Sequence, residues 1–456
     1  MGFSRRDFSR ALVAAAAAAP VAGLRAQGRG VPMPSHLLIR GGHVLSMDPA
    51  IGDLPIGDVE IRDGRIAAVG ESLEAPGAEM IDAGDMLVLP GLVETHWHIW
   101  TTLLRSMAAD QGYFRVSRGM GSFYEPGDMV AATRLAVAEA IHSGITFVHD
   151  WCHNVRGPEF AEAALEALAE SGIRARFGYG TPAGHPNDEP IDQRHFDTLA
   201  SGWAGHSADG RLTLGLAWRG IGSAASMSDH ELATSHGLPV SVHVNNFQRA
   251  AGGIAAIDAA GLLSPDVQLI HAIWSSPEEI AAVAASGASL SLSPYTELRI
   301  GFGMPMTGEY LDAGVPIGLS VDTTTLSGNA DMFAIMKAIQ NVENARTLDE
   351  FRLPARRVLE LATIEGARSM GMDGEIGSLT PGKRADLITI DTRHLNLALV
   401  TDAPHLVVEA AQPANVDTVI IDGRVLKRSG VLTAMDSGEI VDEARAAHAA
   451  LMARAG

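Results

Sequence analysis

The stretch LPGLVETHWH, residues 89–98, decides how this chain of 456 residues is interpreted. In it an apolar, strand-like run ends in two histidines that are separated by one residue. Residues i and i+2 of a strand point to the same face, so His96 and His98 can both reach one cavity. A His-x-His pair alone is a weak signal, because 17 histidines in 456 residues produce about 0.6 such pairs by chance.

Three further strand-like segments each end in a residue that can bind a metal. They are LPVSVH ending at His243, VQLIH ending at His271, and IGLSVD ending at Asp322. The carboxyl ends of parallel strands form the active-site face of a (β/α)8 barrel. Taken singly, each histidine could equally be a buried core residue, and Asp322 could equally be a helix N-cap, rather than a metal ligand. Their shared placement at strand ends favours a common metal site.

Between these segments the chain alternates strand-like runs with helical runs rich in Ala, Leu and Glu, which indicates a parallel βα architecture. Shorter β-like runs near both ends are separated by the hairpin signals Asp63-Gly64 and Asp422-Gly423. The sequence therefore predicts an α/β protein in which a (β/α)8 TIM barrel is inserted into a small β-sandwich. The predicted bounds are 91–375 for the barrel, 33–90 plus 376–435 for the composite sandwich, and 436–456 for a C-terminal helix.

Composition and charge exclude several classes of protein. The net charge of −20 argues against a nucleic-acid partner. One cysteine, Cys152, excludes a disulfide framework and a multi-cysteine metal site. With 46% hydrophobic residues and interrupted apolar runs, the chain reads as a soluble globular protein.

The first residues have the features of a targeting signal. The sequence SRRDF at 4–8 is a twin-arginine pattern, and an Ala-rich apolar run follows it. A basic amphipathic first helix fits poorly, because alanine occupies every face. Residues 1–26 are therefore predicted to be a twin-arginine export signal, and the mature protein is predicted to be periplasmic or secreted without a membrane anchor.

Three imidazoles from among His96, His98, His243 and His271, with the carboxylate of Asp322, would form a set of nitrogen and oxygen donors. Such a set suits Zn²⁺ or another first-row divalent ion, with Fe²⁺ and Mn²⁺ as alternatives. A water in an open coordination position would have its pKa lowered towards ~7, which supplies hydroxide at neutral pH.

Several stretches together resemble the amidohydrolase superfamily, and within it the cytosine-deaminase/triazine-hydrolase branch. The resemblance spans residues 37–431 and rests on residues 89–98, 320–322, 331–333, 362–368 and 375–387. It implies a distorted (β/α)8 barrel together with the composite β-sandwich.

The resemblance also implies roles for the strand-end residues. His96, His98 and His243 become metal ligands, and Asp322 becomes both a ligand and the base that deprotonates the attacking water. His271 would hydrogen-bond that water or polarise the substrate. Binuclear relatives bridge two metals with a carboxylated Lys or a Glu from strand four. The predicted strand four, residues 212–218, contains neither, which favours one metal ion.

The pattern breaks three residues after His243, where deaminases of this branch carry a proton-shuttling Glu and this chain carries Asn246. An amide cannot transfer a proton as a carboxylic acid does. Glu297, just past the predicted seventh strand, is a candidate substitute and is counted with Asp322 and His271 as catalytic. The alternative is a loop carboxylate that pairs with Arg299 or caps a turn.

Residues beyond the strand ends are candidates for substrate contact. The loop 100–128 carries glycines and aromatic residues and is the longest candidate lid. Other candidates are Trp97, Trp100, His153, Asn246 and Trp274. For each aromatic residue, packing against the barrel rim is the competing explanation.

These features predict a mononuclear metal-dependent hydrolase that cleaves a C–N bond, as in an amide or carbamate, of a small aromatic or apolar substrate. The alternative is a hydrolytic deaminase, or a displacing hydrolase, of an aminated or substituted heterocycle. An exported binding protein without chemistry is a third hypothesis, and the presence of all five metal-centre residues argues against it. The expected partners are a small-molecule substrate and a second copy of the chain in a homodimer.

Overall fold

The computed structural model describes residues 33–456, so the predicted export signal at 1–26 lies outside the described residues. The strands in chain order are β1 (His36–Leu45), β2 (Asp53–Arg62), β3 (Arg65–Gly70), β4 (Glu79–Asp82), β5 (Met86–Pro90), β6 (Leu92–Val93), β7 (Ile145–Cys152), β8 (Arg174–Tyr179), β9 (Leu212–Trp218), β10 (Val240–Val244), β11 (Val267–His271), β12 (Ser289–Leu292), β13 (Ile317–Leu319), β14 (Leu387–Asp391), β15 (Val416–Ile421), β16 (Arg424–Arg428) and β17 (Val431–Leu432).

Helices lie between the strands and after the last of them. They are α1 (Tyr113–Gly121), α2 (Pro126–His142), α3 (Pro158–Ser171), α4 (Gln193–Ser201), α5 (Ala224–Ser235), α6 (Gly253–Ala259), α7 (Pro277–Ser286), α8 (Pro294–Ile300), α9 (Thr307–Asp312), α10 (Thr324–Ser327), α11 (Met332–Thr347), α12 (Ala355–Leu361), α13 (Ile364–Ser369), α14 (Ala403–Ala410) and α15 (Ser437–Ala455). Short 3-10 turns occur at Ile99–Leu104, Trp203–Gly205, Gln248–Ala250 and Pro413–Asn415.

Eight parallel strands, β6 to β13, pair in sequential order. The last strand also meets the first. The Thr95 N–H donates to the carbonyl oxygen of Leu319 at 3.1 Å, and the Asp322 N–H donates to that of His96 at 2.9 Å. These bonds close the sheet into a barrel, which confirms the predicted fold class. They also bring the ends of β6 and β13, and hence the predicted metal ligands that follow these strands, next to each other.

Close packing at the closing seam requires glycine. A Cβ atom built on Gly318 would lie 2.3 Å from the Cγ2 of Thr95, and one built on Gly91 would lie 2.0 Å from the Oγ1 of Thr146. Real side chains do not approach this closely, so larger residues would push the first strand away from its neighbours. The two glycines therefore allow β6 to sit between β7 and β13.

The helices begin and end where local sequence chemistry dictates. Helix α7 starts with a capping box between Ser276 and Glu279, has Pro277 at its first position, and ends at Gly287 with φ 77°. Proline at the first position and glycine in the left-handed conformation at the end are both favoured. Among residues 33–456, no helix combines the length and the apolar character that crossing a membrane requires.

The small sheet contains strands from both ends of the described chain. Strands β1 to β5 and β14 to β17 form one nine-stranded sheet, in which β5 pairs with β14. Its apolar core draws on both segments, for example Leu37 and Ile61 with Leu387 and Ile420. Arg174 of β8 connects this sheet to the barrel, because its buried guanidinium donates to Asp386 at 2.6 Å.

Candidate metal centre

Three of the predicted ligands meet just beyond the closing seam of the barrel. The Nε2 atoms of His96 and His98 lie 3.3 and 3.4 Å from the Oδ1 of Asp322. All three side chains are buried. One ligand atom from each lies within 4.8 Å of the others, so a single cation can contact all of them.

His243, from the end of β10, approaches the same point from the opposite wall. Its ring centroid is 4.8 Å from that of His96, and its ring lies nearly parallel to that of His98 at 5.2 Å. A second group with mutually close ligand atoms contains His96, His243 and His271. His96 belongs to both groups and is therefore the centre of the cluster. His271, predicted to be catalytic, faces the same point as the predicted ligands.

Hydrogen bonds fix which ring nitrogen of two histidines faces the cluster. The Nδ1 of His98 is 2.9 Å from the carbonyl oxygen of Trp151, which can only accept, so this nitrogen carries the proton. The Nδ1 of His271 donates in the same way to the Oε1 of Glu297 at 3.0 Å. In a neutral ring each Nε2 then presents a lone pair, which is the arrangement used by metal-binding histidines.

The residues fit a divalent cation. His96 is fully buried, and neither of its ring nitrogens has a hydrogen-bond partner. A buried polar group without a partner is costly, and a metal ion would satisfy it. Burial lowers the pKa of His96, His98 and His243 well below the usual range, so all three imidazoles are neutral as metal binding requires. Three imidazoles and one carboxylate suit zinc and its neighbours.

Glu94 organises the backbone around the cluster. Its buried carboxylate accepts N–H bonds from His96 at 2.8 Å, Val321 at 3.2 Å and His149 at 3.3 Å. Burial raises the pKa of the Glu94 carboxyl to about 8, although these donors oppose the shift. One side chain thus ties together the segments after β6 and β13 and the middle of β7. It belongs to the quoted motif, yet sequence reasoning gave it no role.

Two of the site residues have backbones in the left-handed region. The φ angle is 68° at His271 and 59° at Asp322. Residues other than glycine rarely adopt this region, and the cost is of order 1–3 kcal/mol each. Both residues lie where a barrel strand turns into its loop, so the strained turn is what aims each side chain at the cluster.

Glu297 lies on α8, immediately after β12. It is fully buried, its Oε1 accepts from His271 and from the Ser293 N–H at 2.8 Å, and its Oε2 has no partner. Burial raises the pKa of Glu297, while the bond to His271 lowers it. Arg299 does not pair with Glu297 and instead donates to the carbonyl oxygens of Thr325 and Leu326.

A cavity of about 290 Å³ opens over the cluster. Its walls are mainly aromatic, with a few polar groups, which is typical of sites for small organic molecules. The lining residues are His98, Tyr113, Phe114, Ser117, Arg118, Trp151, His153, Ala183, Gly184, His243, Asn246 and Phe247.

The structure separates the five predicted substrate contacts into two groups. Asn246 and His153 line the cavity. Trp97 and Trp100 are buried and do not line it, although the Nε1 of Trp100 donates to the Nδ1 of His153 at 3.3 Å. Trp274 is 39% exposed, lies outside the lining, and donates to the carbonyl oxygen of Phe302 at 2.6 Å.

Several lining residues were not among the substrate contacts predicted from the sequence. Tyr113 and Phe114 belong to the predicted lid, and the buried hydroxyl of Tyr113 has no hydrogen-bond partner. Phe247 follows His243 by four residues, and this closeness in sequence could have indicated that it lies near the site. Arg118 gave no signal, because only the folded lid brings it to the cavity.

Comparison with known proteins identifies the family. The model of the amidohydrolase family matches residues 87–426. The chain belongs to this family. Membership confirms the resemblance found in the sequence and, with it, the prediction of an amidohydrolase that acts on C–N bonds.

Relatives of known activity match nearly the whole chain. A 5'-deoxyadenosine deaminase of Methanosarcina acetivorans is 29% identical over 442 residues, which cover 92% of this chain and 99% of that protein. A 5-methylthioadenosine/S-adenosylhomocysteine deaminase of Moorella thermoacetica is 30% identical over 412 residues, with 86% and 94% covered.

Solved structures share the fold. An adenosine deaminase of Xanthomonas campestris with bound zinc superimposes with a TM-score of 0.80 at 23% identity, and the match covers 92% of this chain and 100% of that one. The atrazine chlorohydrolase TrzN of Arthrobacter aurescens, complexed with zinc, gives a TM-score of 0.78 at 22% identity, with 90% and 100% covered.

Loss of one central imidazole should abolish metal binding. We expect His96→Ala and His243→Ala to lose metal and activity together, because each removes a buried donor from a shared site. Metal content of dialysed protein, measured by inductively coupled plasma mass spectrometry, checks this. His405→Ala is the matched control, since His405 is exposed on α14, and it should keep the parent content. Full occupancy in both active-site variants would refute the assignment.

Proposed function

We propose that this protein is a mononuclear metal-dependent hydrolase that cleaves a C–N bond of a small, flat, mainly apolar substrate. The convergence of His96, His98, His243 and Asp322 beneath an aromatic cavity carries the proposal. The donor chemistry favours Zn²⁺ as the ion, with Fe²⁺ and Mn²⁺ as alternatives.

Asp322 is placed to manage the proton of the attacking water. A divalent ion bound by the cluster supplies Lewis acidity, which makes water a source of hydroxide near neutral pH. The Oδ1 of Asp322 faces His96 and His98, so its Oδ2 is the oxygen left to accept a proton. As the new C–O bond forms and the C–N bond breaks, that proton passes from Asp322 to the departing nitrogen.

His271 acts beside Asp322. With its Nδ1–H held by Glu297, its Nε2 accepts a hydrogen bond from the attacking water and orients it. If the ring gains a proton, the adjacent Glu297 carboxylate stabilises the imidazolium, which can then donate to an oxygen of the substrate. Glu297 therefore acts through His271 as a positioning residue.

The polar group at position 246 separates the two reaction types. Asn246 lines the cavity, and its Oδ1 is buried without a partner. It can hydrogen-bond to a substrate N–H but cannot protonate a ring nitrogen. Hydrolysis of an amide or carbamate needs no proton at a ring nitrogen, so this residue favours such a substrate.

Replacement of an amine on a heterocycle is the second candidate reaction. The observation in its favour is the aromatic lining, with Trp151, Phe114 and Phe247 placed to stack on a flat ring. The deaminase activities of the relatives support the same class. In this reaction the proton for the leaving amine would have to come from Asp322 or through His271.

His153 supplies a further polar contact in either reaction. The indole N–H of Trp100 can only donate a hydrogen bond, so the Nδ1 of His153 is the acceptor. The neutral His153 ring therefore carries its proton on Nε2. His153 lines the cavity, and its ring centroid is 4.2 Å from that of His98. Its Nε2–H is thereby available to donate to a substrate oxygen close to the reacting bond.

Identification of the products tests the proposal. Zinc-loaded protein is incubated with a panel of N-acyl amides, carbamates and aminated heterocycles, and the products are identified by mass spectrometry. We expect an amide or carbamate to be split into an acid and an amine, and His96→Ala to abolish this. Exchange of a ring amine for oxygen would instead establish the second candidate. No turnover of any class by metal-loaded protein would contradict the proposal.

Glu297→Gln should separate turnover from metal binding. We expect kcat to fall by about 10- to 100-fold, because partners that orient a site histidine have effects of this size. Metal content, KM and the unfolding midpoint should stay close to those of the parent, since Gln fills the same space. Glu409→Gln, a change at a partly exposed residue of α14 that pairs with Lys337, is the control and should leave kcat unchanged. An unchanged kcat in Glu297→Gln would show that this residue is only structural.

We further propose that the protein is exported through the twin-arginine route and works in the periplasm or outside the cell. The support is the SRRDF sequence at residues 4–8 and the apolar run that follows it. Assembly into a homodimer stays a prediction.

A further inference from the structure

The mouth of the active-site cavity carries an arginine that has no partner. Arg118, on the exposed side of α1, lines the cavity together with His98 and His243. Within residues 33–456 no acidic side chain lies within salt-bridge distance of Arg118, and its side chain makes no hydrogen bond. Its guanidinium carbon lies 5.8 Å from the centroid of the Phe114 ring.

The facing wall repeats this arrangement. Phe247, beyond the end of β10, also lines the cavity, and its ring centroid is 6.2 Å from that of Phe114. The guanidinium of Arg249 lies 4.2 Å above the Phe247 ring, and in the described part of the chain Arg249 likewise has no acidic partner. Two aromatic rings in contact therefore each carry an arginine.

Arg118 and Arg249 belong to the minority of arginines within residues 33–456 that form no ion pair. The chain has 54 acidic residues against 34 basic ones, and many of its arginines form ion pairs. A guanidinium stays charged at any physiological pH, and its planar N–H groups match the two oxygens of a carboxylate or phosphate. Stacking on a phenyl ring holds the guanidinium in place and leaves its in-plane donors available.

The interior of the cavity can hold the remainder of such a ligand. The Tyr113 hydroxyl and the Asn246 Oδ1 are buried polar atoms without hydrogen-bond partners, and both residues line the cavity together with His98 and Arg118. A volume of about 290 Å³ accommodates one aromatic ring with two substituents. The reacting bond would lie at the histidine cluster and the opposite substituent at Arg118.

We propose that Arg118 selects substrates that carry an anionic group, a carboxylate or a phosphate, at the end remote from the scissile C–N bond. Arg249 provides the second positive charge at the same mouth. This inference rests on the proposed function and narrows its substrate class to an anionic, flat molecule.

Equilibrium binding tests this inference independently of turnover. The probes are 4-acetamidobenzoate, its uncharged analogue 4-acetamidobenzamide, and 4-acetamidophenyl phosphate, each titrated calorimetrically into the zinc-loaded full chain. We expect the parent protein to bind at least one anionic probe about 10- to 100-fold more tightly than the neutral one, as for a charge-assisted hydrogen bond. Which anionic probe binds better distinguishes carboxylate from phosphate.

Arg118→Met should remove this preference, and Arg118→Lys should restore part of it. The matched control is Arg115→Met, because Arg115 lies on the same helix, is exposed and does not line the cavity, yet its loss changes the net charge equally. The control should keep the parent preference. Metal content confirms that each variant retains its site.

The outcomes separate this inference from the proposed function. In one outcome, only Arg118→Met loses the preference for anionic probes, and the parent protein hydrolyses none of the probes. This outcome supports the inference about Arg118 and counts against the proposed reaction. Equal binding of all three probes by the parent, no binding of any, or the same loss in Arg115→Met and Arg118→Met would overturn the inference.

Discussion

The buried carboxylate of Glu94 is the contact on which the site depends. It accepts hydrogen bonds from the backbone N–H groups of His96, Val321 and His149, and so joins the segments after the first and eighth barrel strands to the middle of the second. Closure of the sheet at this seam places His96 and His98 against Asp322. Buried imidazoles with unpartnered nitrogens would destabilise a closed barrel, so the fold and a bound cation favour each other.

The residues assigned to the reaction and those assigned to substrate recognition lie on different parts of the barrel domain. Asp322 and His271, to which we assign the handling of water and protons, stand where barrel strands turn into loops, with backbones in the left-handed region. The residues to which we assign substrate selection stand on α1, within the predicted lid, and on the segment after β10. Loops can change without disturbing the sheet, which explains how one architecture serves deaminases among the relatives and a chlorohydrolase of the same fold.

The barrel and the clustering of the candidate metal ligands were predictable, because each depends on a local pattern: a strand followed by a donor. The same alternation that aims His96 and His98 at the cluster turns Trp97 to the other face, where it is buried. The predicted contact at Trp97 overlooked this consequence. The bond of Glu297 to His271, and the arrival of Tyr113 and Arg118 at the cavity, depend on how loops fold over the barrel. No spacing in the sequence encodes those contacts.

X-ray absorption at the zinc edge tests the central claim most directly, because it reports the atoms around the ion in the intact protein. The account predicts a shell of nitrogen and oxygen atoms at about 2.0–2.1 Å with the outer-shell scattering of three imidazole rings. A sulfur shell at about 2.3 Å would contradict it, since Cys152 is the only cysteine and lies outside the predicted ligand set. A second metal scatterer at about 3.5–4 Å would contradict the single-ion site.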